Sequence, residues 1–137
     1  MRFLFFLMIA SLCLAACSAP PNSSTTLPII TYQRSGGFIG FDDRLTIGEN
    51  GNVNLVRRGK NQSFQLDKVT HDNLIAQLER AKLGTIKSNA TANGNDLITY
   101  EVGFKGNSVR TMDTVIPTEL ETIIDSLNRV IDQNAKP

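Results

Sequence analysis

The sequence predicts an α+β fold: an antiparallel sheet of about four to five strands with two helices packed on one face, built from repeated ββα-like units. Three observations carry that expectation. Two pairs of alternating apolar and polar segments each flank a glycine turn, one at Asn50-Gly51 and one at Gly106. Two other segments, 71–82 and 118–132, repeat apolar residues at helical spacing. The chain order is strands, helix, strands, helix.

The first 27 residues stand outside that fold. Met1 and Arg2 give a positive start, and Phe3 to Leu14 is apolar except for Ser11. A helical span of the hydrocarbon core needs about 20 apolar residues, whereas a signal-peptide core is shorter, so this run reads as a signal. The four residues Leu14-Ala15-Ala16-Cys17 resemble the lipobox of bacterial lipoproteins at every position. The resemblance implies cleavage between Ala16 and Cys17, loss of residues 1–16, and acyl chains such as palmitate attached through Cys17, whose thiolate is the nucleophile for lipid transfer. Covalent lipid is then the only non-protein group expected, with no other cofactor. It would hold the protein to the cell membrane or outer membrane on the extracytoplasmic side. From Ser18 to Leu27 the chain carries Pro20, Pro21 and a polar run. It reads as a tether reaching roughly 15 to 20 Å, so that residues 17–27 join the lipid to a single domain over 28–137.

Within that domain, Ile29 to Arg34 alternates and is rich in β-branched and aromatic residues, as a strand requires. Asp43 to Gly48 and Asn52 to Arg57 form a hairpin through Asn50-Gly51, with Leu45, Ile47, Val53 and Leu55 facing the core. Ser63 to Leu66 adds an edge strand. Thr70 suits the N-cap of a helix over His71 to Lys82, with Leu74, Leu78 and Ala81 on one stripe, Ile75 beside it and Gly84 past its end. A second hairpin, Leu97 to Val102 and Ser108 to Met112, turns through Lys105-Gly106-Asn107, with Ile98, Tyr100 and Val102 on one face. Pro117 suits the first turn of the last helix, from Thr118 to about Asp132, whose Leu120, Ile123, Ile124, Leu127 and Ile131 form its core stripe.

Composition narrows the chemistry. Hydrophobic residues make up 41% and charged residues 20%, the balance of an ordinary globular domain. There are 14 basic against 13 acidic residues, and removal of Arg2 leaves a neutral chain. Nucleic-acid binding needs clustered cations, and Arg57-Arg58 is the only adjacent basic pair, read here as a solvated strand end. Both cysteines, Cys13 and Cys17, fall in the leader and the anchor, so no disulfide is available to the mature domain.

No catalytic or metal-binding set emerges. His71 is the only histidine and reads as an exposed first-turn residue. Asp42 and Asp43 point to opposite faces in any strand and so cannot share a proton; they read as capping a turn. Asn89, Asn93, Asn95 and Asp96 offer oxygen ligands around Gly94 but lack the alternating acids of a calcium loop. The chain is expected to be a binding protein, not an enzyme.

The remaining unusual feature is Ser35-Gly36-Gly37-Phe38-Ile39-Gly40-Phe41. Two readings are open. Either the glycines take positive φ while Phe38, Ile39 or Phe41 folds back into the core, or the turn is stiff and presents Phe38 and Ile39 to a partner. Thr31-Tyr32-Gln33-Arg34-Ser35-Gly36-Gly37-Phe38-Ile39-Gly40 resembles the opening strand and Arg-Ser-Gly-Gly-Phe-x-Gly signature of emfourin-like proteins, small inhibitors of thermolysin-like metalloproteases. The likeness continues in Asp96 to Val102 and in the amphipathic last helix. It implies that Gly36, Gly37, Phe38 and Ile39 lie near the contact with a metalloprotease, which the expected anchor would restrict to an extracytoplasmic one. The alternative expectation is a structural or accessory lipoprotein whose sheet face binds another envelope protein.

Overall fold

The computed structural model describes residues 27–87 and 96–135. Strands β1 (Pro28–Gly36), β2 (Phe41–Gly48), β3 (Asn52–Arg57) and β4 (Lys60–Gln65) precede helix α1 (Lys68–Ala81); β5 (Ile98–Phe104) and β6 (Asn107–Met112) precede helix α2 (Thr118–Asn134). The fold is α+β, as expected. The sheet order is β4-β3-β2-β1-β5-β6, with β1 at the centre, paired antiparallel to β2 on one side and β5 on the other.

The sheet has six strands, more than four to five, and the first unit contributes four of them. The short edge segment is a full strand of six residues paired to β3: a turn at Arg58 and Gly59, whose φ angles are 49° and 76°, lets the chain reverse in two residues, so β4 begins at Lys60 and not at Ser63. Gly51 and Gly106 also take positive φ in their predicted turns.

Alternation along the strands buries one face. Ile30 and Tyr32, Leu45 and Ile47, Val53 and Leu55, and Tyr100 and Val102 are buried there in one core cluster with Leu74 and Leu78 of α1 and the buried residues of α2. Every expected core residue of α2 is buried, and Val130 joins them. The two helices cross the strands in opposite directions. Following α1 leads from the Gly51 turn, where Leu66 N–H donates to Gly51 O, to Leu83–Thr85 beside β6. Helix α2 leads back, and its end meets β4 where Gln62 donates to Asn134 O. Ser126 donates to Gln77 where they pass. Among the described residues the buried core lies between Ile30 and Ile131, all of it in the segment from residue 28 onward.

Helix α1 starts three residues earlier than predicted. Asp67, not Thr70, is the N-cap, and its carboxylate accepts from Thr70 N–H at 2.9 Å. The apolar Val69 in the first turn is exposed, so the core stripe alone does not mark where the helix begins. His71 consequently sits one turn inside the helix, against the Gly51 turn. Its side chain is 13% exposed, and Nε2 is buried without a hydrogen-bond partner among the described residues, contrary to the exposed position expected.

Candidate functional site

Between β1 and β2 the chain reverses through Gly37-Phe38-Ile39-Gly40, closed by Gly40 N–H donating to Gly37 O at 2.9 Å. Phe38 and Ile39 occupy its corners and are 92% and 66% exposed. Of the two open readings, the folded-back one therefore fails for both. Phe41 is half-buried, with its ring 4.5 Å from the Arg34 guanidinium carbon.

Gly36, Gly37 and Gly40 take φ of 87°, 72° and 68°. The first two also permit a close approach. Gly37 N–H donates to Leu97 O at 3.1 Å, and a Cβ on Gly36 would stand 2.7 Å from that oxygen. One on Gly37 would stand 2.8 Å from Ile98 Cγ1. The start of β5 is thus packed directly under the turn and braces it.

Beneath the turn lies an ion-pair network. Register sets Arg34 opposite Asp43 and Asp43 opposite Arg57, and alternation puts all three on the helix-covered face. Arg34 donates from Nε to Asp43 Oδ2 at 2.5 Å, from Nη1 to Asn128 Oδ1 at 2.9 Å and from Nη2 to Asp132 Oδ1 at 2.7 Å. Tyr32 also donates to Asn128 Oδ1, at 2.8 Å, and its ring stacks on Tyr100. Arg57 lies 3.5 Å from Asp43 and 3.6 Å from Asp132. Burial by itself lowers the Arg34 pKa, but hydrogen bonds to Asp132 and Asp43 outweigh it and hold the guanidinium above its ordinary value. Burial pushes the Tyr32 phenol up, so it stays a donor.

Two expectations are corrected here. Asp43 does not cap a turn; it is a strand residue, 1% exposed, that neutralises Arg34, while Asp42 is exposed. Arg57 is not a freely solvated strand end but one-third exposed and paired. The signal for this network was present: extending the core alternation of Ile30-Tyr32 and of Ile47-Leu45 by one step each reaches Arg34 and Asp43.

Ala16, Cys17, Asn89, Asn93 and Asn95 lie outside the described residues. Among the described residues, no group of three or more His, Cys, Asp or Glu side chains is placed to hold a metal ion, and no helix is long and apolar enough to cross a membrane. The chain matches no family model, no curated protein and no solved structure.

Proposed function

We propose that this chain is a membrane-anchored envelope lipoprotein whose folded part is a non-enzymatic binding domain, acting as an emfourin-like inhibitor of an extracytoplasmic thermolysin-like metalloprotease. The observation that carries the binding reading is the exposure of Phe38 and Ile39 at the tip of a turn braced by Leu97. Two large apolar side chains held in water on a glycine-set turn cost solvation and gain nothing from the core. They are suited to fill an apolar pocket of a partner, where such anchors contribute most of the binding energy.

Position supports the same reading. A tether entering at Pro28 meets the sheet at the far end of β1 from the turn. Nine strand residues at about 3.3 Å each set the tip roughly 30 Å from that entry. Lipid at Cys17 would leave Phe38 and Ile39 pointing away from the bilayer, toward a protein.

The test is titration of the domain from residue 28 onward against a thermolysin-like protease. Stoichiometric inhibition that Phe38→Ala weakens about 30-fold is the expected result. No inhibition at micromolar domain would sink the protease assignment.

A further inference from the structure

The β3–β4 turn at Arg58-Gly59 has a counterpart at the other end of the sheet, Lys105-Gly106, where the φ angles are 46° and 83°. Both turns place a cation first. At the counterpart the charge is matched, with Lys105 Nζ 3.0 Å from Glu79 Oε1. Arg58 and its neighbour Lys60 are exposed and reach no carboxylate among the described residues.

Between the β3–β4 turn and the end of α2 is an open cavity of about 600 Å³. Leu55 and Ala135 form its apolar wall, Asn61 and Gln62 add amides, and Arg57, Arg58 and Lys60 supply positive charge. Among the described residues, Arg34 and Arg57 pair with Asp43 and Asp132, so that with Arg58 and Lys60 four cations stand against two carboxylates, an excess of two positive charges. The carboxyl end of α2 offsets about half a charge and leaves the excess standing. Arg57 is already shared between the two aspartates, so Arg58 and Lys60 are the groups open to a ligand.

The cavity lies at the Phe38–Ile39 end of the sheet. Arg58 N–H donates to Asp42 O, tying the two turns together. Neighbouring hairpins are offset by two strand spacings, about 10 Å, which is within the footprint of one docked protein.

We propose that this cavity receives an Asp or Glu side chain from the protein seated on Phe38 and Ile39, a second contact beside the apolar one. The inference rests on the binding-domain reading above. Arg58 offers a planar fork that fits a carboxylate bidentately, Lys60 adds a point charge, and Leu55 lines the path for the side chain's methylenes. A lipid headgroup is disfavoured because the cavity faces away from the end at which the tether would enter. Charge at such a rim accelerates association and is screened by salt.

The experiment titrates the domain from residue 28 onward with an acetylated, amidated tetraglutamate peptide while backbone amide NMR shifts are followed. The expected shifts fall on Arg58 to Gln62 and weaken as salt is raised to about 0.3 M. Arg58→Asn with Lys60→Gln, in which Asn keeps the left-handed turn, lowers peptide affinity at least tenfold. Absence of shifts at these amides, or equal binding by the double variant, overturns the cavity. Inorganic phosphate binding as tightly as the peptide overturns the carboxylate assignment in favour of a phosphate ligand. A second arm measures association with the protease, where the double variant is expected to slow the rate about tenfold and flatten its salt dependence. Peptide shifts without any protease inhibition would discard the protease and leave the cavity standing.

Discussion

Arg34 and Asp43 face each other across β1 and β2, 2.5 Å apart and both almost fully buried, directly below the exposed Phe38–Ile39 turn. A buried pair of this kind contributes little over an apolar pair of the same shape, yet losing one member strands the other without a counter-charge. Arg34→Met is therefore expected to lower unfolding free energy by about 3 kcal/mol, since among the described residues Asp43 keeps only the longer contact to Arg57. Arg34→Met combined with Asp43→Leu should recover much of that loss. Urea unfolding of the two single variants and the double measures the coupling. Additive losses would show that the pair does not act as a unit.

Phe38→Ala and Ile39→Ala separate contact from core. With both side chains exposed, each substitution should change stability by no more than about 0.5 kcal/mol. On the proposed interface the Phe38 change should cost about 2 kcal/mol of binding, roughly a 30-fold weaker Kd. Melting temperature and inhibition constant, measured on the same preparations, check both halves. A large fall in stability would return Phe38 to the core.

Gly36 and Gly40 share positive φ but not surroundings. Gly36→Ala adds a methyl 2.7 Å from the Leu97 carbonyl oxygen, on top of a backbone conformation that costs about 1 to 2 kcal/mol for an L-residue. A loss above about 2 kcal/mol is expected, with inhibition weakened because β5 must withdraw from under the turn. Nothing among the described residues stands within 4 Å of a Cβ at Gly40, and Asn tolerates this φ, so Gly40→Asn should cost less than about 1 kcal/mol. Similar losses at both positions would contradict the bracing role of Leu97.

His71 packs on the Gly51 turn with Nε2 buried and unpartnered among the described residues. An unsatisfied buried nitrogen carries a desolvation cost of about 1 to 3 kcal/mol that an apolar side chain of similar size does not. His71→Leu should thus leave stability unchanged or raise it by about 1 kcal/mol. A marked drop in melting temperature would mean that the Nδ1 contact to Asp72, at 3.6 Å, outweighs the cost of the unpartnered Nε2.

Periodicity made the sheet and both helices legible, because half-buried elements must repeat apolar residues at 2 or 3.6 positions. Leu45, Ile47, Val53 and Leu55 face the core for that reason, and so do Leu120, Ile123, Ile124, Leu127 and Ile131. Charged residues at core-facing positions were the blind spot. Asp43 and Arg34 obey the alternation, but each is tolerable there only because the other is present, and pairing across strands depends on register, which a single strand does not encode. Arg58-Gly59 escaped because its first residue is Arg where hairpin turns usually carry Asn or Asp. The glycines of the Phe38–Ile39 turn were legible as positive-φ positions. The fate of its two apolar side chains was not, since a turn can direct them inward or outward with the same residues.

Asp67 gives a prediction in pH. Its carboxylate caps α1, and the Thr70 backbone N–H holds its pKa below the ordinary value. A carboxyl that binds its proton more weakly folded than unfolded contributes stability above the unfolded carboxylate range, near pH 4, and loses it as pH falls through the depressed folded value. Asp67→Ala should accordingly lower the melting temperature at pH 7, with the gap to the parent closing on acidification below about pH 4. Asp67→Asn, a good N-cap without a titrating group, should lose less at neutral pH and hold that stability unchanged through the acid range. Thermal melts of the three proteins from pH 7 down to about pH 2.5 decide it. A gap between parent and Asp67→Ala that stays constant with pH would show that the cap acts through its hydrogen bond alone and not through its charge.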